Sequence, residues 1–397
     1  MGYVDAMHPR RLIDSSSGAR PSDCGKVSAE QLGADVGRAY PGLGRPSMPH
    51  TGTLIPLPRL EEEGGVRERY TAETPHDWLA GSERSVRTVM PWDRRIEPFL
   101  NRYPALRAIG NTPLVPVSIF DDELPGVEVL AKMECLNPGG SLKDRPVLHM
   151  LLAALANGRL QPGKTILDSS SGNAGIAYAM VGRIIGYPVE IVIPNNASTE
   201  RKKRLLAHGA QLIYTDALKG YDEALREVHR RHDADAPHYF FCDQYSNADN
   251  WRAHYETTAV EILEQTGGRL THIVAGVGTG GTVTGLGRRL KEHDPKIRLV
   301  CVLPEVFPGI EGLKPLGPED IVPAILDEMV IDERIPVTSE DAYRMCVRLA
   351  REGFFVGQSS GAYMVGVERI ARRERAGRFV TLFNDLGERY FSTRLWD

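Results

Sequence analysis

The sequence predicts an α/β protein, with mostly parallel, twisted sheets covered by helices. Three observations carry that prediction. From about residue 105 onward, β-rich apolar runs alternate with helical patterns, the order expected of strand–helix–strand units. The helical patterns stop on glycine: "RPVLHMLLAALANG" at Gly158, "IAYAMVGRIIG" at Gly186, and "STERKKRLLAHG", capped by Ser198, at Gly209. The segments joining strands to helices are short, and three of them are rich in Gly, Ser, Thr and Asn.

In chain order the strand candidates are "VEVLAKMECL" (127–136), "TILDSS" (165–170), "VEIVIP" (189–194), "AQLIYT" (210–215), "THIVAGV" (271–277), "IRLVCVLP" (297–304) and "RFVTLFN" (378–384). In sheets of this kind ligands sit at the carboxyl ends of the strands, so the polar turns are where function is expected. Residues 1–95 read differently. Stretches such as "DSSSGARPSDCGK" and "LEEEGGVRER" are dense in Pro, Gly, Ser and charge, and predict a largely irregular extension. A packed accessory domain anchored by Tyr70, Trp78 and Trp92 is the competing reading.

Composition narrows the function. The 397 residues leave room for two or three domains. A formal charge of −4 with mixed signs offers no basic stripe for nucleic acid and no polybasic membrane patch, so a small-molecule partner is expected. Cys24, Cys135, Cys242, Cys301 and Cys346 are scattered without a C-x-x-C pair, which argues against zinc or a disulfide framework and for a reducing, cytoplasmic setting. The chain has no apolar run of about 18 residues and no secretory leader, so it reads as neither membrane-bound nor exported.

One lysine and three loops carry the chemistry. Lys143, in "NPGGSLKDRPVLHML" (137–151), follows a Pro-Gly-Gly-Ser turn where a helical pattern begins. Helix starts favour negative charge, so the amine is either a solvated surface group or held there for chemistry. The loop "DSSSGNAG" (168–175) offers hydroxyls, the Asn173 amide and backbone N–H groups before a helix expected to begin at Ile176. It suits a carboxylate, or it is an ordinary capped turn. The loop "GVGTGGTVTG" (276–285) lets backbone approach an anion, with Thr279 and Thr282 adding hydroxyls. Read as Gly276-x-Gly278-x-x-Gly281 with Glu305 after the next strand, it also satisfies a dinucleotide fingerprint, although it lies in the second half of the chain. "FFVGQSSGA" (354–362) reads as a buried strand, a turn and a helix. His149, His254 and His272 show no nucleophile or metal-ligand spacing, and no metal is expected.

Taken together, an amine, a phosphate cup and carboxylate-gripping loops are what pyridoxal 5'-phosphate (PLP) requires. The chain resembles the cysteine synthase and cystathionine β-synthase family of fold-type II PLP enzymes, which share a tryptophan synthase β-like fold. The resemblance rests on "IGNTPLV" (109–115), "NPGGSLKDRP" (137–146), "SSGNAG" (170–175), "HYETTAVEI" (254–262), "GVGTGGTVTG" (276–285), "GQSSGA" (357–362) and "GERYFST" (387–393), in the family's order. The tract "FPGIEGLKPLGPEDIVPAI" (307–325) looks more like the B-type or O-phosphoserine-using branch.

The resemblance implies roles. Lys143 would form the internal Schiff base and act as base and acid at Cα. Asn173 would bond the cofactor's 3'-oxygen, while Gly278, Thr279, Gly280, Gly281 and Thr282 would cradle its phosphate and Ser359 would face the ring nitrogen. Ser170, Ser171, Asn173 and Gln244 would surround the substrate carboxylate. Ser170 and Ala174 depart from the usual T-S-G-N-T-G loop, and Ala174 loses a hydroxyl. The implied architecture is a smaller mobile domain over 137–247 and a larger one over 103–136 plus 248–397, with the cofactor between them, in a homodimer. The implied reaction replaces the activated hydroxyl of O-acetylserine or O-phosphoserine with sulfide or another sulfur donor, by way of an α-aminoacrylate. Cystathionine β-synthase, 2,3-diaminopropionate synthase and serine or threonine dehydratase share that route, and a dinucleotide-binding oxidoreductase is the rival from another class. Lys314 and Arg252 are candidate partners for a charged leaving group.

Overall fold

A computed structural model describes residues 92–396, apart from 171, 217, 219 and 318–321 and the side chains at 220–222 and 394. Ser171, Cys24, Tyr70, Trp78 and the extension up to residue 91 lie outside the described residues. The last four residues of the expected extension, 92–95, are coil and turn but pack on the core. Trp92 is buried against helix residues of the core, and Arg95 donates to Asp249 at 3.1 Å.

A short helix, α1 (Glu97–Arg102), precedes β1 (Leu114–Pro116) and β2 (Val127–Lys132). Helix α2 (Asp144–Ala156) leads into β3 (Thr165–Ser169), α3 (Asn173–Ile185), β4 (Val189–Pro194), α4 (Thr199–Ala207), β5 (Gln211–Thr215), α5 (Gly220–Ala234) and β6 (Tyr239–Phe241). Helix α6 (Ala248–Ala253), a π-helical turn at His254–Thr258 and α7 (Ala259–Thr266) follow. The chain then forms β7 (His272–Gly276), α8 (Gly281–His293), β8 (Arg298–Pro304), β9 (Glu333–Val337), α9 (Ser339–Arg351), α10 (Gln358–Glu374) and β10 (Gly377–Leu382).

Two sheets result. One runs β5-β4-β3-β6 and is parallel throughout; the other runs β1-β2-β10-β7-β8-β9 and is parallel except where β1 meets β2. Parallel strands are covered on both faces and need continuous apolar runs. β3 and β7 accordingly are buried at every position. The glycine stops also act as read: Gly186 caps α3 at φ 85°, and Gly158 and Gly209 lie just beyond α2 and α4 at φ 74° and 82°, a region open to glycine. Ser198 occupies the cap position of α4 without a side-chain cap bond.

One strand expectation is corrected. Phe354–Val356 forms no strand; Val356 makes a single bridge to Leu386, and Phe355 is 37% exposed. Its apolar side chains instead stack, Phe355 on Trp396 at 4.4 Å and Phe354 edge-on to Phe383 at 5.4 Å. Each sheet has its own core. Leu106 and Ile109 pack with Val147, Leu151, Ile166 and Ile191 beside the four-stranded sheet, so the chain from 103 to 109 packs with that sheet and not with the larger one. Among the described residues no helix is long and apolar enough to cross a membrane, and the four described cysteines are buried and unpaired.

Candidate active site

The carboxyl ends of strands from both sheets open onto one cavity of about 650 Å³. Its lining includes Lys143, Ser170, Asn173, Gln244, Gly278, Thr279, Gly280, Thr282 and Ser359. Of the expected site residues, Gly281 lies one step behind this lining as the first residue of α8, and Ser171 is outside the described residues.

Lys143 is presented by its turn. Gly140 sits at φ 73°, and the Gly139 N–H donates to the Asp144 carboxylate at 2.5 Å, folding the turn onto the first residue of α2. A Cβ on Gly139 would fall 2.2 Å from Asp144 Oδ1, so only glycine fits. The Lys143 amine is half-buried at the cavity and has no hydrogen bond or ion pair among the described residues. Removal from water lowers its pKa to about 8, against a smaller opposing pull from the Asp385 carboxylate. About a tenth of it is therefore neutral and nucleophilic at pH 7, a far larger share than for an ordinary lysine.

The glycine loop forms the opposite wall at the N-terminus of α8, where free N–H groups and the helix dipole favour an anion. Gly280 adopts φ 86°, and Cβ atoms at Gly278 and Gly281 would come 2.5 Å from Gly312 O and 2.0 Å from Asn250 Oδ1. Asn250 holds the loop in place: its amide donates to Thr279 Oγ1 at 3.0 Å and to Gln244 O at 2.7 Å. Thr282 meets His254 Nε2 at 3.3 Å, and burial, with the charges of Arg145 and Lys143, keeps that histidine well below its ordinary pKa and neutral. Gly281→Ala should push Asn250 aside and loosen the cup. A strained contact of this kind costs about 1–3 kcal/mol, so cofactor affinity should fall about 5- to 150-fold, as read from cofactor retained after dialysis.

The remaining groups sit between these walls. Helix α3 begins at Asn173, three residues before the expected start, so its first turn is itself part of the site. The Asn173 amide donates to Asp385 Oδ2 at 2.7 Å, leaving its second N–H free, and Arg389 donates to its oxygen. Ser170 Oγ accepts from Gly172 N at 3.3 Å, and Gln244 Nε2 donates to Ser169 O at 3.3 Å. Ser359 Oγ accepts from Asn384 Nδ2 at 2.9 Å, which leaves its O–H as a donor. Ala174 also lines the cavity. Lys314 lies in the lining, 5.0 Å from the Tyr245 ring centre, whereas Arg252 faces Asp249 at 3.1 Å away from it. Glu305, the acid of the dinucleotide reading, is engaged by the Ser339 N–H at 2.7 Å.

Sequence reasoning missed Asp385 and Arg201. Asp385 is fully buried behind Asn173, accepting also from Tyr390 OH at 2.8 Å, and burial raises its pKa. Its place just past the carboxyl end of an apolar strand was the available signal. Arg201, on α4, is 5% exposed and pairs with Glu311, linking a helix of the smaller sheet to the segment after β8.

A desolvated lysine amine and a glycine loop at a helix N-terminus, lining one cavity with amide and hydroxyl groups, make a donor set suited to a lysine-tethered, phosphate-anchored cofactor. The donor set and the close-approach glycines fit PLP. The chain belongs to the pyridoxal-phosphate dependent enzyme family, whose model matches residues 105–385. A cysteine synthase of Aquifex aeolicus is 47% identical over 76% of this chain and 94% of its own length. Cysteine synthase B of Pseudomonas aeruginosa is 37% identical over 75% and 98%. The crystal structure of the cysteine synthase of Entamoeba histolytica superimposes with a TM-score of 0.69 at 36% identity, covering 74% of this chain and 90% of that one. The fold is thus that of the fold-type II PLP enzymes, and the dinucleotide reading is set aside.

Proposed function

We propose that the protein is a PLP-dependent cysteine synthase of the B-type branch, acting on an O-activated L-serine and a sulfur donor. The observation that carries this is the Lys143 amine, without a partner among the described residues, at the cavity shared with the glycine loop. When bound, PLP draws electrons from Cα of the substrate, so that the α-proton can be removed and the β-substituent expelled. Lys143 tethers the cofactor, takes the α-proton as a neutral amine and returns it to Cα after sulfur has added at Cβ. Gly278–Thr282 hold the phosphate, and the spare Asn173 N–H meets the 3'-oxygen. Ser170, Gln244 and the first turn of α3 grip the carboxylate, with Ser171 expected beside them. Ser359, its oxygen already engaged by Asn384, donates to the ring nitrogen without protonating it. A neutral partner there suits prompt departure of a β-leaving group more than chemistry that needs a long-lived carbanion.

The unit carrying the four-stranded sheet, 137–247 together with the helical segment from α1 to Ile109, moves over the larger one, and Arg201–Glu311 draws the two together to exclude water. The enzyme works in the cytoplasm as a homodimer. The names of the two bacterial relatives support cysteine synthesis. Comparing kcat/KM for O-acetylserine, O-phosphoserine and serine with sulfide tests the proposal. Turnover is expected with both activated donors, O-phosphoserine matching or exceeding O-acetylserine because Lys314 lines the cavity, and none with serine. Serine as the best donor, with homocysteine as acceptor, would move the protein to the cystathionine synthases.

A further inference from the structure

We propose that Asp93, His149 and Glu256 form a zinc-binding site that clips the segment before α1 onto the helices of the active site. These residues stand apart from the cavity described above. His149, on α2, is fully buried. Its Nε2 lies 3.2 Å from Glu256 Oε2 and 3.7 Å from Asp93 Oδ2, and the three donor atoms lie within 4.8 Å of one another. Zinc bound tetrahedrally at about 2.0–2.1 Å places neighbouring ligand atoms roughly 3.3–3.4 Å apart, between the two measured separations. One imidazole and two carboxylates form a donor set that suits zinc, with a fourth position left for water.

A second observation points the same way. The other ring nitrogen of His149, Nδ1, is buried without a hydrogen-bond partner, yet it faces Asp249 Oδ1 at 3.7 Å. A histidine that ligates a metal through one nitrogen usually gives its other N–H to a carboxylate, which fixes the ring and raises its basicity. A shift of about 0.7 Å brings the pair to an ordinary hydrogen-bond distance. Trp92 lies over the imidazole, ring centres 6.4 Å apart and planes 30° from parallel, and covers the site.

Charges around the site remain compatible with a dication. Arg95 donates to Asp93 Oδ2 at 2.5 Å and to Asp249 at 3.1 Å, and Arg252 donates to Asp249 at 3.1 Å. Arg159 lies 3.8 Å from Asp249. Asp249 is thereby occupied mainly by arginines, while among the described residues Glu256 has no cation partner other than His149. Burial would raise the Asp93 pKa, but the Arg95 bonds and charge outweigh it and keep the carboxylate ionised. Arg95 holds the same Oδ2 through both Nε and a terminal nitrogen, so binding of the ion there displaces one of these two contacts. The ion would join three segments distant in sequence: residue 93, the helix that begins beside Lys143, and the π-helical turn whose His254 touches Thr282. No sequence spacing announces such a site, because its donors stand at positions 93, 149 and 256.

The test uses the full, PLP-loaded chain, stripped with a chelator, returned to zinc chloride and desalted before metal analysis. One zinc per chain is expected, with a higher Tm than the stripped protein. Glu256→Gln and Asp93→Asn, both partly exposed and nearly isosteric, should each raise the zinc Kd at least tenfold while keeping PLP content. His149→Ala should bind none at this site, and the two milder variants keep the result readable if it misfolds. Retention of no zinc by the wild type would overturn the proposal in favour of an imidazole–carboxylate cluster alone. Equal zinc in wild type and all variants would overturn it too, by placing the metal elsewhere.

Discussion

Lys143→Ala should yield a folded protein that binds PLP without covalent attachment and makes no cysteine above background. The expectation of a normal fold follows from the environment of the side chain. Its amine has no partner among the described residues, and burial already disfavours its charge, as the fall to about 8 records. Removing it therefore costs little packing and relieves a desolvated cation. Catalysis loses both the tether and the proton carrier at Cα, and general acid–base action alone is worth about 10²–10⁴-fold. The loss in kcat should be at least about 10³-fold, with the covalent step gone as well. Lys143→Arg should be equally inactive, since a guanidinium keeps its proton at any working pH. Borohydride reduction followed by mass spectrometry reads the attachment, and cysteine release reads turnover. Near-normal turnover by either variant would remove Lys143 from the mechanism.

What could be read in advance divides along a physical line. Elements specified by local pattern were legible: β4 is found at the residues quoted for it, and α2, α3 and α4 stop within two residues of their glycines. Short elements defined by their neighbours were not. β1 and β6 span three residues each, and β9 alternates as "ERIPV" on a sheet edge, too little apolar sequence to stand out. The run at 354–356 failed for the opposite reason, since its apolar side chains stack on aromatic neighbours without pairing its backbone as a strand. The site shows the same division. The lysine turn and glycine loop are contiguous and could be seen, whereas Asp385, Arg201 and Asn250 act through contacts distant in sequence. Buried charges read as surface charges until the fold shows their partners.

Arg145 is the extreme case, and its replacement should be the most destabilising single change in the chain. It follows the Lys143–Asp144 pair in α2 and is fully buried. Its guanidinium donates to Glu134 at 2.7 and 2.8 Å, to Glu261 at 2.6 and 2.7 Å, and to Thr257 and Thr112 at 3.0 and 3.2 Å. Lys132, also buried, meets Glu261 at 2.6 Å, so two cations balance two carboxylates. Arg145→Met preserves bulk but leaves both carboxylates facing a single lysine. Breaking a buried pair in this way typically costs about 3–5 kcal/mol, because the remaining charge is stranded. The pH dependence gives a second signature. In the wild type, burial would raise the pKa of Glu134 and Glu261, but the Arg145 charge and hydrogen bonds outweigh it and hold both low. Their stabilising contribution is therefore present above the ordinary carboxylate range and lost as pH falls through the lowered folded values. Without Arg145, burial dominates, the folded carboxyls prefer to be protonated, and lowering the pH should stabilise the variant. Urea denaturation of the PLP-loaded proteins should accordingly show a large stability gap at pH about 7.5 that narrows toward pH about 5.5. A gap below about 1 kcal/mol at neutral pH, the range of an exposed ion pair, would show that the network is not what holds α2 and its lysine in place.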